Sequence, residues 1–119
     1  MHFQWAVIEA HLDPVVGAEQ SGFRPVLVVS DEEFNQAMSN VTVLPLTSTQ
    51  RRLYPSEVLL NKGLAGQPLQ SIIMAHQMRT ISKQRLGRLL GYLDAPQLRN
   101  EVRQAIREHL DVENRADEV

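Results

Sequence analysis

The chain has 119 residues, 43% of them hydrophobic and 22% charged, with a formal charge of −2 at pH 7. That length buries one core and is too short for two, and the balance excludes a disordered or fibrous chain. The absence of cysteine excludes disulfides, thiolate zinc sites and a thiol nucleophile, and the weak negative charge argues against indiscriminate coating of polyanions.

The opening "MHFQWAVIEAHLDP" has no basic n-region and carries Gln4, Glu9 and His11 through its apolar part, so neither a signal peptide nor a membrane span is expected. Cytoplasm is the expected location. Within it, "FQWAVIEAHL" alternates loosely up to the turn pair Asp13-Pro14 and predicts a first strand, followed by a loop through Gly17 and Gly22. "RPVLVVS" predicts a short β-branched strand buried on both faces. Ser30 and Glu33 stand at capping-box spacing and predict a short helix with Phe34 and Met38 inward. "VTVLPL" is a third strand, with Pro45 marking an edge or a bulge. After the basic loop "TSTQRRLYP" come a fourth strand in "SEVLL", a turn-rich connection, and a fifth strand in "SIIMAHQM". "SKQRLG" predicts one helical turn and "RLLGYL" a last strand. The chain closes with a helix that has Asp94 as N-cap, Pro96 in its first turn, and Leu98, Val102, Ile106 and Leu110 on one stripe.

Several short strands with a closing helix predict a small, strongly bent sheet or barrel, mainly β with flanking helices (α+β). One domain is expected over residues 1–112, with an acidic tail at 113–119. Charge is unevenly placed. Acids concentrate in "SDEEF" and "EHLDVENRADEV", whereas "TQRRLYP" and "QMRTISKQRLGR" hold many of the bases, so a local positive face forms if those two stretches meet.

Three pieces, "LDPVVGAEQSGFRPVLVVS", "VLPLTS" and "MAHQMRTISKQRLGRLLGYL", follow one another in the order and spacing of a known pattern. They resemble the MazF/PemK toxin endoribonucleases, over most of the chain from Leu12 to the closing helix. The resemblance implies an SH3-like barrel of the CcdB/MazF type that dimerises, needs no metal or other cofactor, and cuts single-stranded RNA. It also implies a cognate antitoxin as partner. Departures are visible: Trp5 and Ala6 replace the usual Gly-acid pair, His76 replaces the acid of A-D-Q, and Met74 stands where the PemK branch has arginine. The chain is thus closer to the MazF branch.

Metal-free RNA cleavage uses the neighbouring 2'-hydroxyl as nucleophile, so a protein must align it, accept its proton and offset charge on the phosphorane. Arg24 suits the charge role, being bidentate, permanently cationic and mounted ahead of Pro25; its pKa above about 12 makes it a poor base. Glu19 is a better base candidate, or simply a salt-bridge partner for Arg24. Thr47 offers a hydroxyl to a phosphate oxygen, or caps a turn at the strand end. His76 is either a proton-transfer group or a structural histidine. Gln77 and Arg79, read as alternating on one strand face, are candidate RNA contacts, and Arg51, Arg52 and Tyr54 form a loop able to clamp the strand and stack a base. Gln20 of G-x-E-Q and Ser48 of P-L-T-S join them by resemblance. Two other classes remain open: a gyrase-poison-like binding module, against which the polar end of the last helix argues, and an inactive RNA binder.

Overall fold

The computed structural model describes residues 1–12 and 23–113; Glu19 and Gln20 lie outside them, as does most of the acidic tail. Among the described residues the strands are β1 (Ala6–Ala10), β2 (Arg24–Val28), β3 (Asn40–Thr47), β4 (Glu57–Leu60), β5 (Ser71–Met74), β6 (Arg79–Ser82) and β7 (Leu86–Tyr92). Helix α1 (Glu32–Ala37) follows β2, and α2 (Pro96–Leu110) is the last element among the described residues. All pairings are antiparallel, in the order β4-β5-β3-β2-β1-β7 with β6 also on β3.

Strand β3 organises this sheet. One edge pairs with β2, with Val26 opposite Pro45 and Val28 opposite Val43. The other edge pairs first with β6, over 40–43, and then with β5, over 46–47. Pro45 therefore marks neither an edge strand nor a recorded bulge. It sits in a central strand at the point where the outer partner changes, so its missing N–H removes no ladder bond on that edge.

Alternation along the strands produces two apolar clusters on opposite faces. Val7, Leu27, Leu44 and Leu46 meet Val102 and Ala105 of α2 on one face, while Ile8, Val26, Val28, Val41 and Val43 gather with Ile81 on the other. Val26, Leu27 and Val28 are buried on both faces, as the run's composition required, and Pro25 is half-buried. Each such side chain contributes about 1.5–3 kcal/mol relative to exposure.

Several local expectations change. The cap of α1 is Asp31, whose carboxylate accepts from the amides of Glu33 and Phe34 at 3.1 and 3.3 Å, so the Ser30–Glu33 capping box does not form. Ser30 bonds Asn35 instead and accepts from the Thr42 amide. Phe34 and Met38 face solvent, and the inward positions belong to Glu32 and the buried Asn35. The reason is polar: Glu32 accepts from the amides of Phe3 (3.1 Å) and Gln4 (2.8 Å) and from Gln36 Nε2 (2.6 Å), tying the N-terminal segment to α1.

The segment read as a fifth strand breaks after Met74 into a single helical turn, Ala75–Gln77, and then β6. Helix α2 begins on Ala95 with no side-chain cap, and Asp94 reaches Arg99 at 3.6 Å instead. Leu98, Val102 and Ile106 pack inward as expected, but Leu110, the last residue of α2, is exposed. The turn Leu64–Gly66 lies backbone to backbone against β7, where a Cβ on Gly66 would sit 2.0 Å from the Leu90 carbonyl oxygen.

Burial opposes ionisation of Glu32, yet its donors Gln36, Gln4, Phe3 and Asn35 outweigh it and lower its pKa from 4.5 to about 2. A depressed carboxylate pKa adds stability above its unfolded value, and that stability is lost as pH falls through the folded one. Glu32→Ala should therefore lower the melting temperature at pH 7, and the gap to the wild type should shrink between pH 4.5 and about 2. Thermal unfolding of both proteins across that range checks it.

Candidate active site

Arg24 opens β2 and Thr47 closes β3, and the ladder brings these two ends together. Counting outward from the Val26–Pro45 and Leu27–Leu44 pairs, two more positions place Arg24 across from Thr47. Paired residues share a face, here the face of Val26 and Val43. Arg79, opposite Val43 at the start of β6, points to that same face. The guanidinium thus has a stiff mount, since Pro25 fixes one backbone angle and Val26 to Val28 are wholly buried. Thr47 Oγ1 accepts from the Thr49 amide at 3.2 Å and bonds its hydroxyl at 3.1 Å, which orders the start of the loop holding the exposed Ser48.

A second cluster lies on sheet neighbours of Thr47. Thr47 pairs with Ile72 of β5, and Met74, two residues on, pairs with Glu57 of β4. Two strand spacings and two residues separate Thr47 from Glu57, roughly 12 Å at the backbone. The Glu57 side chain is 0% exposed. Its Oε1 accepts from Arg51 Nη1 (2.8 Å) and the Tyr54 amide (2.7 Å), and its Oε2 from Arg51 Nη2 (2.8 Å) and His76 Nε2 (2.8 Å). Arg51 also lies over the exposed Tyr54 ring, 4.1 Å from its centroid. The His76 ring stands 6.5 Å from that of His109 in α2.

The hydrogen bond from Arg51 is the largest cause of a lowered Glu57 pKa, about 2, with His76, Tyr54 and the Arg51 charge adding to it and burial opposing. Arg51 is held above its ordinary value by the same bond. A bidentate guanidinium–carboxylate pair with further donors satisfies the buried oxygens, so desolvation of the charge is compensated.

The candidates therefore fall into two groups. Arg24 and Thr47 meet at one sheet end, with Arg79 on their face; Arg51, Tyr54 and His76 converge on Glu57. Arg52 is exposed beside them, its carbonyl accepting from Arg51 Nη1 at 3.0 Å. Gln77 and Arg79 do not alternate on one strand, because the helical turn intervenes and Gln77 is exposed at its end. Sequence reasoning missed Glu57, although it is the only acidic residue between Glu33 and Asp94 and sits beside the basic run. Among the described residues no group of three or more His, Asp or Glu side chains is placed to hold a metal, and no helix is long and apolar enough to cross a membrane.

A family model described as PemK-like, MazF-like toxin of type II toxin-antitoxin system matches residues 3–110. The chain belongs to this MazF/PemK toxin family. It is 33% identical over 109 residues to endoribonuclease MazF9 of Mycobacterium tuberculosis, covering 87% of this chain and 92% of that protein. To endoribonuclease EndoA of Bacillus subtilis it is 38% identical over 86 residues, 71% of this chain and 74% of that one. An endoribonuclease from Mycobacterial species, solved in complex with its cognate antitoxin, superposes with a TM-score of 0.75 at 26% identity, over 95% of this chain and 98% of its own. The antiparallel sheet with its C-terminal helix is accordingly the CcdB/MazF-type fold, and this MazF/PemK family member is an enzyme of the endoribonuclease class.

Arg51→Met removes the largest cause of the Glu57 shift. The Glu57 pKa should then rise from about 2 toward 4.5, as followed by a carboxyl carbon-13 titration. The stability drawn from the ionised carboxylate, present in the wild type above pH 4.5 and lost on descent to about 2, should shrink with it.

Proposed function

We propose that this family member is the toxin of a type II toxin–antitoxin pair and cleaves single-stranded RNA without a metal ion. The observation that carries the reading is the β2–β3 register through Val26–Pro45 and Leu27–Leu44, whose continuation sets Arg24 across from Thr47. The ribose 2'-oxygen attacks the adjacent phosphorus and loses its proton, the bond from phosphorus to the 5'-oxygen breaks, and that oxygen gains a proton. The products are a 2',3'-cyclic phosphate and a 5'-hydroxyl, with no net use of water. Arg24 offsets charge on the phosphorane, where a preorganised guanidinium acts more strongly on the transition state than on the ground state. Thr47 donates its hydroxyl to a non-bridging oxygen, and His76 moves a proton. Arg52, Arg79, Gln77 and Ser48 hold the strand, while Tyr54, with Arg51 behind it, stacks a base.

Function as a homodimer is part of the reading, because β4 is an edge strand with Leu59 exposed on it, and Leu53 and Leu69 are exposed in neighbouring loops. The complex of a structural neighbour with its cognate antitoxin supports an antitoxin as second partner.

Purified protein incubated with a defined single-stranded RNA in EDTA should yield fragments ending in 2',3'-cyclic phosphate and beginning with 5'-hydroxyl. Arg24→Ala should leave RNA affinity within a small factor and lower the cleavage rate by roughly two to three orders of magnitude. Arg24→Lys should recover little, because an ammonium lacks the two-pronged geometry. End-group analysis and single-turnover rates check both; full activity in the Ala variant overturns the assignment.

A further inference from the structure

The Glu57 cluster joins the loop that carries Arg51 and Tyr54 to the start of β4 and to the turn Ala75–Gln77 that carries His76, where the Ala75 amide donates to the Ser56 carbonyl at 3.0 Å. One carboxylate with no solvent exposure receives four donors from them. Because Glu57 stays ionised down to about pH 2, it only accepts hydrogen bonds. His76 Nε2 must therefore carry the hydrogen, and a neutral His76 keeps its lone pair on Nδ1. The opposite tautomer would set a lone pair against a buried carboxylate at 2.8 Å.

We infer that Glu57 is the positioning residue of this active site, fixing the tautomer and orientation of His76 so that Nδ1 is the nitrogen that accepts the 2'-hydroxyl proton. The inference rests on the ribonuclease reading above and adds to it a residue and an atom. In the step, the 2'-oxygen's proton passes to Nδ1 as its bond to phosphorus forms; the bond from phosphorus to the 5'-oxygen breaks, that oxygen takes a proton from water, and the imidazolium later returns its proton to the hydroxide left behind. The resulting imidazolium remains hydrogen-bonded to Glu57, whose negative charge stabilises it. The same carboxylate holds Arg51 in a two-pronged grip under Tyr54, so loop and turn are locked by one group. Groups facing His76 from the packed elements are Glu57, Arg51, whose Nη2 shares Glu57 Oε2 with His76 Nε2, and, at 6.5 Å between ring centroids, His109 of α2.

Two measurements test this. Nitrogen-15 correlation spectra of the wild-type protein, at a pH where the ring is neutral, should show His76 as the Nε2–H tautomer; the Nδ1–H tautomer overturns the inference and needs no variant to fold. The second is a double-mutant cycle on single-turnover cleavage. Glu57→Gln should lower the rate roughly tenfold in the wild-type background but less than about twofold alongside His76→Gln, because its effect passes through the imidazole. Equal losses in both backgrounds, or an unchanged rate in His76→Gln alone, overturn the role. A wild-type protein that cleaves no RNA overturns the ribonuclease reading itself, whereas cleavage with an additive cycle sinks only the positioning role.

Discussion

Strand β3 meets three other strands along its eight residues, and the remaining geometry follows from that constraint. A sheet in which one strand serves β2 on one edge and both β6 and β5 on the other cannot stay flat, since two outer strands leave it at different points. Pro45 occupies the interval between them, where a donor is dispensable. Beyond that interval the strand runs on to Thr47, which carries its hydroxyl out to where β2 begins with Arg24. A one-residue slip of β2 against β3 would turn the guanidinium to the opposite face and bring Leu27 out of its cluster, so the apolar core and the candidate chemistry are fixed by the same register.

How much of this was legible beforehand depended on the kind of signal. The run Val26 to Val28 and the stripe Leu98, Val102, Ile106 were readable because a continuous, largely β-branched run and a period-four apolar stripe report burial directly. The helix start was misread because Ser30 and Asp31 are both competent caps, and spacing to Glu33 favoured the one whose hydroxyl is used across the sheet by Thr42. The break after Met74 was hidden by "SIIMAHQM", an apolar run with no Gly or Pro to punctuate it; only the switch of partner along β3 shows that one strand there must become two. Arg24 and Thr47 could each be singled out, but their meeting depends on register, which a sequence read in one dimension does not contain.

Glu57 illustrates a different failure. Its weight comes from isolation: between Glu33 and Asp94 it is the sole carboxylate side chain in the sequence. Burying a charge is costly unless its oxygens are fully met, and here two basic side chains and a backbone amide meet them. A lone acid amid bases is therefore a stronger pointer to a buried junction than any motif match in this chain.

The pairing of Ala6 with Tyr92 carries a consequence for synthesis. A ribosome releases β1 early, but one of its edges stays unpaired until the distant β7 has been made, and Trp5 waits longer still for α2 to cover its cluster. The core thus closes only once both β7 and α2 have emerged. For a member of an endoribonuclease family, that delay separates synthesis of most of the domain from activity: the nascent chain lacks a finished core until α2 has emerged.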